Sequence, residues 1–196
     1  MMAEPEGELS APTQDTLLPP DLVMRACAGD VVAFEDLFHT YTAPITTYLA
    51  RMVENNEEGR DLTQETFIRA WRMLASLHDP ARFSAWLYRI ATNVALDHLR
   101  SRKLLWIPWG NLSRHSEATT LQIVGPETSV TEGELIKLVL RRLSPKYRAC
   151  LLLHIEAGFS QREIAALLHI QEKSVSVYIK RGCEQFRQTY QRLVNE

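Results

Sequence analysis

Asp61-Leu62-Thr63-Gln64-Glu65-Thr66-Phe67-Ile68-Arg69-Ala70-Trp71, followed by Phe83-Ser84-Ala85-Trp86-Leu87-Tyr88-Arg89-Ile90-Ala91-Thr92-Asn93-Val94-Ala95-Leu96-Asp97-His98-Leu99-Arg100, decides how this chain folds. At about 100° per residue both stretches are amphipathic helices. In the first, Phe67, Ala70, Trp71 and Leu74 share one arc and are expected in the core, while Asp61, Gln64, Glu65, Ile68 and Arg72 lie on the other side. In the second, Phe83, Trp86, Leu87, Ile90, Ala91 and Val94 form the buried arc. Arg82, Arg89, Asn93 and Arg100 project together elsewhere, with Arg102 and Lys103 extending the positive charge beyond them. A stripe of that kind can follow a phosphate backbone, and Asn93 offers both a donor and an acceptor to a base.

Working outward, the N-terminal flank reads as helices at core spacing. Asp21 is expected to cap a short helix ending at Gly29, and Asp30 the next one, which carries Phe34, Leu37, Phe38 and Tyr41. Pro44 then starts a new segment or kinks the old one, with Ile45, Tyr48, Leu49 and Met52 following. Asn55-Asn56 marks a loop. The two deciding helices are expected over about 57–74 and 81–103, and residues 1–20, rich in Pro, Glu, Ser and Thr, read as a flexible tail. Residues 105–133 hold Pro108, Gly110, Gly125, Pro126 and Gly133 among many Ser and Thr and read as a linker, although Trp106 and Trp109 make its start unusually apolar. Helices resume over about 134–142, 145–157, 160–168 and 172–192. With no useful strand alternation, the chain is predicted all-α, in two small helical domains over 21–104 and 134–196.

The second domain contains a helix-turn-helix pattern. Gly158 can end one helix, and Ser160 with Glu163 forms an S-x-x-E capping box for the next. Ile164, Ala165, Leu167 and Leu168 give that helix a buried side, and His169-Ile170-Gln171 makes the turn. The following helix buries Val175, Ile179, Gly182 and Phe186. Its opposite face presents Lys173, Ser174, Val177, Lys180 and Arg181, with Ser176 at the edge. Short polar side chains can approach base edges, Val177 can meet a thymine methyl, and Lys180, Arg181 and Arg162 can reach phosphates. Taken alone, the pattern also describes an ordinary helical hairpin with a solvated basic face.

Composition narrows the class. The chain has 196 residues, 45% hydrophobic and 23% charged, an ordinary globular balance. No apolar run nears the ~18–20 residues that span a bilayer. The acidic start (Glu4, Glu6, Glu8) lacks signal-peptide character, so a cytoplasmic location is expected. Cys27, Cys150 and Cys183 have no paired spacing and fit a reducing compartment. Cys150 and His154, one turn apart, read as packing residues, and no metal or cofactor is expected. The net charge of −2 is unevenly spread: residues 1–66 carry three basic and thirteen acidic side chains, whereas 134–196 carry eleven against six. An acidic front with a basic remainder fits a protein that touches DNA with part of its surface.

The deciding stretches resemble region 2 of bacterial sigma factors. Leu143-Ser144-Pro145-Lys146-Tyr147-Arg148, Phe159-Ser160-Gln161-Arg162-Glu163-Ile164-Ala165 and the reading helix resemble region 4. His169 departs from the family's usual turn glycine, and Ser176, Val177 and Tyr178 are less basic than in many relatives. The two patterns leave no room for the extra domain of larger sigma factors, so the chain looks like the extracytoplasmic-function (ECF) class. The resemblance implies a non-enzymatic initiation factor. Asp61, Gln64, Glu65, Phe67, Ile68 and Arg72 would then serve the clamp helices of the largest polymerase subunit. Arg82, Arg89, Asn93, Arg100, Arg102 and Lys103 would serve −10 DNA, and Arg162, Lys173, Ser174, Ser176, Val177, Lys180 and Arg181 would serve −35 DNA. An anti-sigma partner is also implied. A free-standing LuxR-type regulator is the alternative, because Glu172–Tyr178 is similar to that class's reading helix; a helical adaptor is another. The sequence lacks a P-loop, HExxH or GxSxG motif, which speaks against an enzyme.

Overall fold

Short polar residues start most of the helices. The computed structural model describes residues 20–105 and 131–195, without the side chains of Pro20 and of residues 103–105. The expected tail and nearly all of the expected linker, with Trp106 and Trp109, lie outside the described residues. α1 (Pro20–Cys27) begins one residue before Asp21, whose carboxylate sits in the first turn rather than capping it. The turn after α1 passes through Gly29 at φ 93°, backbone that favours glycine. Asp30 then accepts from the Ala33 N–H to start α2 (Val31–Val53). Pro44 does not divide α2. Ile45, Tyr48, Leu49 and Met52 beyond it are buried, and that burial offsets the missing N–H bond.

Glu54, left-handed at φ 61°, ends α2, and Asn55 accepts from the Glu57 and Glu58 N–H groups to start α3 (Asn56–Met73). The Asn55-Asn56 loop is therefore no more than a reversal between two helices. Gly59 lets them meet: a Cβ there would lie 2.7 Å from Ala50 Cα. One-turn 3-10 segments at Leu74–Ser76 and Pro80–Arg82 lead to α4 (Phe83–Leu105), which buries Phe83, Trp86, Leu87, Ile90, Ala91 and Val94 as expected.

The second group comprises α5 (Glu132–Arg142), α6 (Pro145–Ile155), α7 (Gln161–Leu168) and α8 (Glu172–Val194). No strand occurs among the described residues. Six consecutive positions of α6, Arg148 to Leu153, are buried. A helix covered all round belongs in the middle of a body. Cys150 is among these residues, and His154 Nδ1 lies 2.9 Å from the Phe159 carbonyl oxygen, so both serve packing.

Two observations were not anticipated. One continuous buried cluster joins the groups, running from Tyr41, Tyr48 and Leu87 through Tyr88 to Phe159, Leu153 and Ile164. α4 is covered on a second flank as well, burying Tyr88, Thr92 and Ala95. The second observation corrects the expected place of Trp71. It is 41% exposed rather than core, with its ring 4.8 Å from that of Phe34, itself only half-buried. Its helical phase was right, but α2 covers only part of that arc.

Candidate functional site

Helix α8 owes its placement to the caps and turn before it. Ser160 Oγ accepts from the Glu163 N–H, and Glu163 accepts from the Ser160 N–H at 2.8 Å. His169 adopts the left-handed turn at φ 53°, the conformation a glycine would take without strain. Val175 is fully buried, while Ile179 and Phe186 pack half-buried against the core. Gly182 brings α8 close to α6, with Tyr147 O 3.5 Å from a notional Cβ.

That anchoring leaves Lys173, Ser176, Val177, Lys180 and Arg181 exposed on one side, with Ser174 half-buried at its margin. Val177 is 43% exposed, about 200° round the helix from the fully buried Val175. Arg162 is exposed on α7. An open notch of about 600 Å³ between the helix starts is lined by Gln161, Gln171, Glu172, Lys173 and Ser176. Tyr147, which the sequence reading places only within the region 4 resemblance, also supports this face: its hydroxyl lies 3.5 Å from Arg181 Nη1, and its ring packs on Tyr178 at 5.3 Å. Such a contact orients a cation without neutralising it.

On α4 the predicted basic set divides. The side chains of Arg89, half-buried, and Asn93, exposed, have no hydrogen-bond or ion-pair partner among the described residues. Arg82 pairs with Asp79 at 3.1 Å and Arg100 with Asp97 at 2.9 Å, both at the surface. Surface pairs of this kind are worth little and can be exchanged for another anion. Arg102 is drawn away from the stripe to Glu58 on α3, at 3.1 Å, where His98 also contacts Glu58. The Lys103 side chain lies outside the described residues. Trp86 is buried beside Phe83, centroids 5.9 Å apart, and belongs to the core side of α4.

On α3, Asp61, Gln64, Ile68 and Arg72 are exposed, and Glu65 is half-exposed with Arg69 at 2.5 Å. Phe67 is buried and packs edge-on against Phe38 at 4.7 Å, supporting the face from beneath. Ile68, 52% exposed, and Trp71 add apolar area to a face otherwise made of charge and amide. Mixed faces of this kind, with an aromatic anchor, fit protein contacts.

Three separate surfaces thus share one helical body: a mixed face on α3, a cationic and amide stripe on α4, and an exposed polar and cationic face on α8. Residues 24–104 match the family described as Sigma-70 region 2, and residues 133–186 match Sigma-70, region 4. The chain is 35% identical over 168 residues to the ECF RNA polymerase sigma factor SigW of Bacillus subtilis, covering 81% of this chain and 89% of SigW. It is 31% identical to the RNA polymerase sigma factor CarQ of Myxococcus xanthus, covering 80% of this chain and 88% of CarQ. Among solved structures, CnrH in complex with the cytosolic domain of CnrY aligns with TM-score 0.64 at 24% identity, covering 90% of this chain and 96% of CnrH. RpoE of Bartonella quintana, in complex with the anti-sigma factor NepR, aligns with TM-score 0.64 at 18% identity, covering 82% and 98%. These findings give the LuxR-type alternative no support. With both regions matched in order and no strand among the described residues, the chain belongs to the sigma-70 family, as an RNA polymerase sigma factor of the ECF class.

Proposed function

We propose that the three surfaces divide the work of initiation. The α3 face, Asp61, Gln64, Glu65, Ile68 and Arg72 over a floor of Phe67, docks on the clamp helices of the largest polymerase subunit, and Trp71 extends it. Arg89 and Asn93 on α4 engage the opened −10 strand, with Arg82 and Arg100 exchanging their carboxylates for phosphate. Arg102, held by Glu58, contributes at the rim, and Lys103 extends the charge. On α8, Ser174, Ser176 and Val177 read bases of the −35 duplex, while Lys173, Lys180, Arg181 and Arg162 hold its backbone. The protein works in the cytoplasm, and an anti-sigma partner is part of the reading, as NepR is for RpoE.

The observation that carries this reading is the exposed face of α8 opposite a fully buried Val175. Cation contacts to phosphate dominate DNA affinity, and each one lost lowers the salt slope of binding by about one unit. Run-off transcription with purified core polymerase on the DNA upstream of this gene is the test. The wild-type chain is expected to start specific transcripts, and the Lys180→Glu/Arg181→Glu variant to lose them while still binding core. Specific initiation unaffected by that double reversal removes α8 as the reader.

A further inference from the structure

Among Arg162, Lys173, Lys180 and Arg181, the cations of the α7–α8 face, only Arg181 has a side-chain hydrogen-bond partner among the described residues. That partner comes from another helix. Arg181 Nη1 donates to the hydroxyl of Tyr147, on α6, at 3.5 Å. Tyr147 is half-buried and Arg181 exposed. The phenol is itself well fixed. Its ring lies 5.3 Å from that of Tyr178, tilted by 43°, and Tyr178 shares a face of α8 with Arg181 one turn on. Its carbonyl oxygen and Cβ come within 3.5 and 3.6 Å of where a Cβ on Gly182 would stand. Tyr147 is thus held at its base by the close approach of α8 and along its ring by a second aromatic, and a fixed acceptor can order a mobile donor.

We propose that Tyr147 is a positioning residue for promoter contact: its hydroxyl holds the Arg181 guanidinium in the orientation used on the −35 duplex, without touching DNA itself. The inference rests on the promoter reading proposed above. A guanidinium carries its N–H donors in a planar fork, and donating one to a phenol leaves the others free for phosphate oxygens or a guanine edge. The acceptor is neutral, so Arg181 keeps its full charge for DNA. Arg82 and Arg100 differ in this respect, since each has a carboxylate to give up first. A long side chain that is free in solution loses rotamer freedom when it binds, and that loss weakens the complex. Tyr147 orders Arg181 beforehand, whereas Lys180 beside it has no such acceptor. An exposed contact to a neutral oxygen contributes little to folding, so the effect of the hydroxyl falls on DNA binding.

Tyr147→Phe removes the hydroxyl and leaves the ring on Tyr178. The experiment is a double-substitution cycle with full-length chains assembled on core polymerase, bound to labelled DNA from upstream of this gene over a salt series. Tyr147→Phe is expected to weaken DNA binding about threefold at an unchanged salt slope, because no charge is lost. Arg181→Ala is expected to weaken it more and to lower the slope by about one unit. Adding Tyr147→Phe to Arg181→Ala is expected to change nothing further, with Tm and core affinity of Tyr147→Phe at wild-type values. A Tyr147→Phe complex that binds DNA as tightly as wild type overturns the positioning role. A threefold loss that persists beside Arg181→Ala also overturns it, making the hydroxyl a DNA contact in its own right. Lowered Tm or weakened core binding in Tyr147→Phe assigns the hydroxyl to folding instead and overturns the proposal as well. Arg181→Ala with wild-type affinity and slope refutes the promoter reading of Arg181 itself, a failure distinct from a silent Tyr147→Phe beside a damaging Arg181→Ala.

Discussion

Gly59 and Gly182 both sit inside helices and both face a neighbouring helix, yet the structure assigns opposite signs to replacing them with alanine. Helix propensity favours either change by about 1 kcal/mol. At Gly182 the added Cβ meets Tyr147 O at 3.5 Å, Tyr147 Cβ at 3.6 Å and Leu143 Cδ2 at 3.8 Å, ordinary contacts that need no movement. At Gly59 it meets Ala50 Cα and N at 2.7 Å and Ala50 Cβ at 2.8 Å. Carbon atoms pack best at about 3.5–4.0 Å, so α2 and α3 have to separate by about 1 Å along the most extensive helix pair of the first group. Backbone atoms cannot rotate aside as a side chain can, and overpacking costs about 1–3 kcal/mol or more, exceeding the propensity gain. Gly182→Ala is therefore expected to stabilise by about 1 kcal/mol and raise Tm by about 2–4 °C. Gly59→Ala is expected to lower Tm by a similar or larger amount. Urea unfolding of each full-length variant, with m unchanged, separates stability from compactness of the unfolded chain. A Gly59→Ala protein as stable as wild type, or a Gly182→Ala protein destabilised by more than about 1 kcal/mol, refutes the packing argument.

Two further predictions concern titrating groups. Burial raises the Cys150 thiol to about 11, leaving little thiolate at pH 8, so a disulfide reagent should label Cys183 in the native protein and reach Cys150 only on unfolding. Rapid native labelling of Cys150, read by mass spectrometry, contradicts the buried placement of α6. The Asp30 carboxylate is held below its ordinary value by the Ala33 N–H and by Arg25. Its contribution is present above the unfolded-state value and is lost as pH falls through the depressed folded value. Acid titration followed by NMR should place Asp30 below the usual aspartate range, with the α1–α2 junction fraying there; Asp30→Asn should remove that step. An ordinary Asp30 titration refutes the cap.

Much of the fold was legible because it depends on local rules. The caps at Asp30 and Ser160 and the buried arc of α4 are set by residue spacing and by hydrogen bonds within a few positions. The same holds for the exposed face of α8, since burying Val175 fixes which side chains point away. Trp71 departs from its expected core position because phase names an arc but not how far the neighbouring helix extends over it. Charge alone puts Arg102 with the stripe, and only the approach of α3 reveals its carboxylate partner.

The sequence by itself determined that the chain is helical, where its helices are capped, and which face of each is apolar, since all of these are read within one turn or two of the backbone. Tertiary structure alone decided that α4 is covered on two flanks, that α6 is buried all round, and that Arg148 closes on Glu54. Those facts join residues nearly a hundred positions apart, and neither periodicity nor propensity carries information over that range. The pairing of two distant helices depends on shape and on the desolvation of particular charges.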